Sequence, residues 1–146
     1  MSNIADYDSN GNMIYCKLSL GEVWCKYDAN NNRIHSKNSR GYESWRKYDA
    51  NNNMIHFKES IHGIEFEESY EYDSNNKKIY RKNSDGYEHR YDPNGNEIYY
   101  SNGEGYEEWR EYDSNNRLTH FWDITGHEYW YDADGNEIDK PTEQKD

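Results

Sequence analysis

The chain has 146 residues with 29 acidic against 17 basic side chains, a formal net charge of -12 and a mean hydropathy of -1.50. Such an excess of carboxylates excludes a phosphate-gripping surface, so neither nucleic acid nor an anionic membrane is expected as a partner. Leu, Ile, Val and Phe number 17, a level at which chains often stay disordered, but sixteen Tyr and five Trp reverse that reading because each ring buries roughly 150–250 Å².

The N-terminal segment carries no apolar run of the signal-peptide kind, and nothing reaches transmembrane length. Two cysteines, Cys16 and Cys25, are too few for a disulfide framework. The expectation is therefore a cytoplasmic protein of one domain over 1–146, with repeats over 7–138 and a charged tail at 139–146.

Along the chain the dipeptide Tyr-Asp begins at Tyr7, Tyr27, Tyr48, Tyr72, Tyr91, Tyr112 and Tyr131. Seven residues after each Tyr comes Ile14, Ile34, Ile55, Ile79, Ile98 or Ile138, while the sixth unit reads as one residue short, with Leu118 in that role. The intervening residues are Asp, Asn and Gly, which tolerate positive φ and form turns through their side chains. A second turn is marked by Gly21, Gly41, Gly63, Gly86, Gly105 and Gly126. Each unit thus reads as strand, Asn-rich turn, strand, Gly turn, and no stretch shows a helical period. The predicted fold class is all-β: a repetitive antiparallel β-hairpin meander of seven units, strongly twisted or curled and open to barrel-like closure, since fourteen strands exceed what a flat open sheet holds.

Parity assigns the faces. Side chains alternate along a strand, so a change of two residues keeps a face and a change of one reverses it. The distances from Gly to the next Tyr are 6, 7, 9, 5, 7 and 5, odd in all units but the first. Ile64, Phe66, Tyr70 and Tyr72 share one parity, and Glu65, Glu67, Glu71 and Asp73 the other. In the first hairpin a Leu20-Gly21 turn pairs Ile14 with Tyr27, Cys16 with Cys25, and Leu18 with Val23, all on one face. The Ile-and-Tyr face is the expected core, with Tyr72 and Ile55 as typical members.

The opposite face carries Glu22, Trp24 and Lys26; Glu43, Trp45 and Lys47; Glu107, Trp109 and Glu111; and Glu128 and Trp130. Rings among charges have two readings: a sheet that curls to cover both faces, or a stripe offered to a partner. On the second reading the partner-binding residues are Trp24, Glu43, Trp45, Glu107, Trp109, Glu111, Glu128 and Trp130. The units with Gly-Tyr-Glu-x-Trp-Arg, at Gly41–Arg46 and Gly105–Arg110, present it most fully.

The stretch from Tyr112 through Leu118, together with the Gly turn and the next Tyr-Asp at Tyr131, resembles the YD repeat of the rearrangement-hotspot (Rhs) family, roughly YDxxGRL. Most other units read as departing from it by one extra turn residue, usually Asn. Large family members wind such repeats into a shell around a toxin, which this length does not permit. Some small acidic immunity proteins of bacterial toxin loci also look like YD-repeat arrays. The resemblance implies a fold, and it suggests a non-catalytic immunity protein whose partner is a basic, nuclease-type toxin, the chain being a monomer apart from that partner. The alternative is a glycan or cell-wall binding repeat of a surface protein, since aromatic hairpins of about this length also resemble choline-binding repeats.

Catalytic chemistry is not indicated. His35, His56, His62, His89, His120 and His127 fall at different repeat positions and form no HxxxH or HExxH motif. No nucleophile elbow or phosphate loop is present, so no catalytic, metal or cofactor-binding residues are expected and no cofactor is implied. The turns Asp132-x-Asp134-x-Asn136 and Asp92-x-Asn94-x-Asn96 imitate the first half of a calcium loop but place Glu where it needs its sixth-position Gly, and Glu143 alone falls at a twelfth position. At most weak calcium binding is expected there.

Overall fold

The computed structural model describes residues 4–141, all of them strand or connection, with no helix among them. The chain divides into two compact units, Met1–Tyr70 and Glu71–Asp146. The first contains β1 (Ile4–Tyr7), β2 (Met13–Leu18), β3 (Gly21–Tyr27), β4 (Arg33–Asn38), β5 (Tyr42–Tyr48), β6 (Met54–Ile61) and most of β7 (Ile64–Tyr72). The second contains β8 (Lys78–Asn83), β9 (Glu88–Tyr91), β10 (Glu97–Ser101), β11 (Glu107–Tyr112), β12 (Leu118–Asp123), β13 (Glu128–Tyr131) and β14 (Glu137–Ile138). The strands follow one another in sequence order as a single antiparallel meander, the predicted all-β hairpin array. That order is linear: β1 pairs with β2 and β14 with β13, and the barrel-like closure is not found among the described residues. Pairing stops at Ile138, and Glu143 lies outside the described residues.

The Tyr-Asp turns are built by one device. In the first, Asp8 Oδ1 accepts the backbone N–H of Asn10 (2.9 Å) and of Asn12 (2.8 Å), while the Asp8 N–H donates to the Asn12 carbonyl (2.9 Å). Asp28, Asp49, Asp73, Asp92, Asp113 and Asp132 repeat it. The fourth turn residue has positive φ and is Gly11, Asn31, Asn52, Asn76, Gly95, Asn116 or Gly135, residues that tolerate the left-handed region.

This geometry corrects the reading of the sixth unit. Asp113 donates to the Arg117 carbonyl as Asp8 does to Asn12, so no residue has been lost. Leu118 stands where Met13 stands, and Thr119 takes the Ile position. The other units therefore have no extra turn residue relative to YDxxGRL, whose Leu corresponds to Met13 and Met54.

Consecutive turns also bond to each other. Asn12 Nδ2 donates to Asn31 Oδ1 (2.9 Å), Asn32 to Asn52 (2.8 Å) and Asn96 to Asn116 (2.9 Å), in each case from the fifth residue of one turn to the fourth of the next. Where the next turn has Gly at its fourth place, the donor is a long cation that reaches a carbonyl instead. Lys77 Nζ bonds Pro93 O beside Gly95, and Arg117 Nη1 bonds Ala133 O beside Gly135, both at 2.8 Å. Asn faces Asn, and Lys or Arg faces Gly.

Most Gly turns use the same construction: Asn38, Asn83, Asn102 and Asp123 each accept the second and fourth N–H groups beyond them. Two Gly turns are shorter. His62 (φ 52) and Gly63 (φ 86) form a two-residue turn between Ile61 and Ile64, with the paired positive φ that such hairpins need. In the first hairpin the turn is Ser19-Leu20, not Leu20-Gly21, because Leu18 pairs with Gly21. Gly21 opens β3, which explains why the first unit alone gave an even spacing.

The register is accordingly shifted by two from expectation. Cys16 pairs with Val23 and Cys25 with Ser36, so the thiols share a face but are not direct neighbours. Both are buried and free. A shift of two preserves faces, and the parity assignment stands.

The expected core composition needs a further correction. The register slips by one residue on the strand that follows each of five Tyr-Asp turns, leaving Ile14, Ile34, Ile55, Ile98 and Thr119 as the extra, unpaired residues of β-bulges. Ile14 and Ile55 are each 37% exposed, and Tyr7 is more exposed than Asp8 beside it. In the first unit the buried residues are small or polar and lie on the predicted inner face: Cys16, Cys25, Ser36, Ser44 and Glu68. Ser44 is fully buried, its hydroxyl 2.9 Å from that of Ser36 and accepting from Arg46 Nη1 at 3.1 Å.

Two outcomes follow. Ser44→Leu should destabilise by about 1–3 kcal/mol through overpacking, more than Ile55→Ala, which empties a half-exposed bulge; urea denaturation of both variants checks the order. Asn96→Lys and Asn116→Gly should each weaken the fold, yet together cost less than their sum by about 0.5 kcal/mol, because the pair recreates the Lys77–Gly95 arrangement. A double-mutant cycle measures that coupling.

Candidate functional site: the indole and carboxylate faces

In the first unit, register places Glu22, Trp24, Lys26, Glu43, Trp45 and Lys47 on one face, joined by Tyr15, His35 and Lys37. Tyr15 and Trp24 lie 5.7 Å apart, and Lys37 Nζ sits 5.4 Å from the Trp24 ring centroid. The His35 ring lies 5.5 Å from Trp45, and its Nε2 is 2.7 Å from Glu43 Oε1. Glu22 pairs with Lys17 at 2.8 Å, and that contact holds its carboxyl below the usual glutamate range. The predicted Trp24, Glu43 and Trp45 are thus brought together.

In the second unit, Glu107, Trp109, Glu111, Glu128 and Trp130 share a face with Tyr99, His120 and Trp122. The rings form a ladder across β10 to β13. Tyr99 meets Trp109 at 5.7 Å, and Trp109 stacks on Trp122 at 5.9 Å with planes 10° apart. His120 stacks on Trp122 at 4.4 Å and on Trp130 at 3.6 Å. Its nitrogens reach two predicted carboxylates: Nδ1 lies 3.5 Å from Glu111 Oε2 and Nε2 3.1 Å from Glu128 Oε1. Partial burial pushes the Glu128 carboxyl up, but its bonds to His120 and Lys140 outweigh that and hold it below the usual range. Trp130 Nε1 is buried and meets no acceptor among the described residues.

Sequence reading missed His120 and Trp122. His120 is the buried centre of this face, at 8% exposure, and the signal was its place two residues before a Trp on a strand. It also missed a polar network on the other face. Arg110 Nη1 donates to Glu97 Oε1 (2.6 Å) and Nη2 to Glu108; Glu97 Oε2 lies 2.7 Å from His89 Nδ1. Tyr106 donates to Glu108 Oε2 (2.7 Å) and lies 3.5 Å from Asp123 Oδ2. The bond to Glu108, with partial burial and both negative charges, pushes the Tyr106 hydroxyl up to about 12. Asp123 is held well below the usual carboxylate range by Thr125 and His127. The Gly-Tyr-Glu-x-Trp-Arg motif therefore sends Glu and Trp to one face and Tyr, x and Arg to the other.

No group of three or more His, Cys, Asp and Glu side chains poised for a metal occurs among the described residues. In the calcium-like turns, Asp92 and Asp132 turn their carboxylates onto the turn's own N–H groups and Asn side chains.

Neither a family model nor a curated protein matches the chain. Among solved structures, the crystal structure of TcdB2-TccC3-Cdc42 aligns with a TM-score of 0.56 at 12% identity, over 91% of this chain and 9% of that one. TcdB2-TccC3-TEV aligns with a TM-score of 0.46 at 12% identity, over 93% and 10%. At that identity the likeness to the first is one of fold alone. The chain spans about a tenth of the length of the chains it matches.

Removing the central imidazole tests whether the ladder is structural. His120→Ala should cost about 2–3 kcal/mol, from a large-to-small change within a stack, whereas His120→Phe should recover part by keeping the ring. Thermal unfolding of the two variants distinguishes them.

Proposed function

We propose that the chain is a non-catalytic binding protein, an immunity protein that covers the active cleft of a basic, nuclease-type toxin with its indole and carboxylate faces. The observation that carries this reading is a net charge of -12 joined to half-buried indoles beside carboxylates on one face of each unit. A nuclease must be basic to hold phosphates, so an acidic binder complements it and gains association rate by steering. The resemblance of the repeats to the Rhs family, whose large members enclose toxins, supports a place in a toxin system, and the likeness to TcdB2-TccC3-Cdc42 supports the fold on which that reading rests.

The internal pairing of the face bears on mechanism. Glu43 and Glu128 are already hydrogen-bonded to His35 and His120, which restrains them before any partner arrives. Prearranged groups lose less freedom on binding. Exposed ion pairs contribute ~0–1 kcal/mol each, so residence would depend on the rings at the centre of the contact. The residues assigned to it are Trp24, Glu43, Trp45, Glu107, Trp109, Glu111, Glu128 and Trp130.

The test is binding to the product of a neighbouring toxin-like gene. Charge reversal at Glu107 and Glu111 should slow association about tenfold and flatten its salt dependence. Trp109→Ala should leave association near normal and speed dissociation by at least tenfold. Unchanged kinetics in all variants would remove these faces from the contact, and binding to a glycan array instead would replace the reading.

A further inference from the structure

Cations lie over rings in several places, and most of these contacts are fixed by register. Lys37 over Trp24, Arg46 over Phe57, Arg90 over Tyr80 and Tyr99, and Arg110 over Phe121 are all direct cross-strand pairs. In each the ladder sets the cation's backbone directly opposite the ring. Trp130 differs. Its register partners are His120 and Ile138, neither of them the cation, and Lys140 comes from beyond the end of β14.

Lys140 Nζ lies 5.9 Å from the Trp130 ring centroid and 3.4 Å from Glu128 Oε1, the oxygen that also meets His120 Nε2. The lysine side chain is 67% exposed. Here an ammonium rests on an indole and a carboxylate, carried by a segment that no strand holds. The seat is braced, since His120 stacks on Trp130 at 3.6 Å, whereas the occupant comes from beyond the last paired residue, Ile138.

From this geometry we infer that Trp130, Glu128 and His120 form a seat for the primary ammonium of a lysine side chain on a partner protein, and that Lys140 is a tethered stand-in which such a lysine displaces. A lysine fits better than a quaternary ammonium because Glu128 accepts an N–H, which a trimethylated nitrogen lacks. The tether lowers apparent affinity by competing at high local concentration, and it delivers selectivity, because a partner cation must make further contacts to win. This deepens the proposed function, on which the identity of the partner as a basic protein rests.

The experiment titrates the full chain with a short peptide bearing one central lysine, following the Trp130 indole N–H by NMR, with Trp130→Phe to assign the resonance. In Lys140→Ala the indole signal should move, and the peptide should bind about threefold tighter than to the native chain. Glu128→Gln in that background should abolish the gain, and the side-chain-acetylated peptide should not bind. An indole resonance and peptide affinity indifferent to Lys140→Ala would overturn the seat, as would equal binding of the acetylated peptide or tighter binding of the trimethylated one. The two readings fail separately. A basic protein whose binding depends on Trp109 but is indifferent to Lys140→Ala and Glu128→Gln would overturn the seat and leave the proposed function. Lysine-peptide binding at Trp130 without any basic protein partner would support the seat and remove the immunity reading.

Discussion

Most of this molecule depends on the carboxylate or amide that opens every Tyr-Asp turn and four of the Gly turns, and accepts the second and fourth backbone N–H groups beyond it. That pair of bonds satisfies donors a tight turn would otherwise leave to water, and it fixes the chain's reversal at a set number of residues. The charged form is the better acceptor: the side-chain bond from the fifth turn residue, joined by these backbone bonds, holds Asp8, Asp49, Asp113 and Asp132 below the ordinary aspartate range, and at Asp28, where burial pushes upward, the bonds from Asn32 and Asn30 outweigh it. Because the turn length is fixed, so is the bulge that follows it, and with the bulge the face on which every later side chain emerges. Gly and Asn at the fourth place are the steric consequence of the same geometry.

With register fixed by its edges, the sheet does without a thick aliphatic core. Five of its most buried residues are Cys16, Cys25, Ser36, Ser44 and Glu68, small or polar groups over which larger neighbours close. Around them rings and charged side chains meet in cross-strand pairs: Arg46 on Phe57, Arg110 on Phe121, Trp109 on Trp122. An Arg or Lys in such a pair covers apolar ring surface with its methylenes while its head stays wet or finds a carboxylate. This is how a chain with a mean hydropathy of -1.50 folds at all. Burial is spread thinly over both faces of each unit, with the indoles half-buried.

The sequence made legible what is periodic. Strand number, antiparallel order and the two faces follow from the Tyr-Asp and Gly spacings, and face assignment survived even where register did not, since the first hairpin slipped by two residues and not by one. What stayed hidden depends on single turns or on neighbours distant in sequence. Whether Gly21 ends a turn or begins a strand depends on its backbone conformation, at φ +143. Ile55 looked like core because it recurs, yet recurrence there marks a bulge. Trp122 and His120 were invisible as part of the indole face because they lie on the strand that the repeat pattern assigns to Leu and Thr. The bonds from Asn12 to Asn31 and from Lys77 to Pro93 were written in the sequence as matched substitutions in successive turns, but they have no meaning until turn is laid beside turn.

The matched turns also constrain how such an array can vary. A unit cannot be exchanged freely, because its fourth turn residue must suit the fifth of the unit before it: Asn to accept from Asn, or Gly where Lys or Arg passes over to a carbonyl. Neighbouring repeats are therefore coupled at their tips as well as along their strands. The broad faces carry no such rule. At the position between Glu and Trp in the shared motif stand Ser44 and Glu108, the first closing on Ser36 and Arg46 and the second on Arg110 and Tyr106. Rigid edges with permissive faces let one scaffold present different side chains from the same strand position. In a binding protein, that separates the residues free to answer a partner from those that must answer the fold.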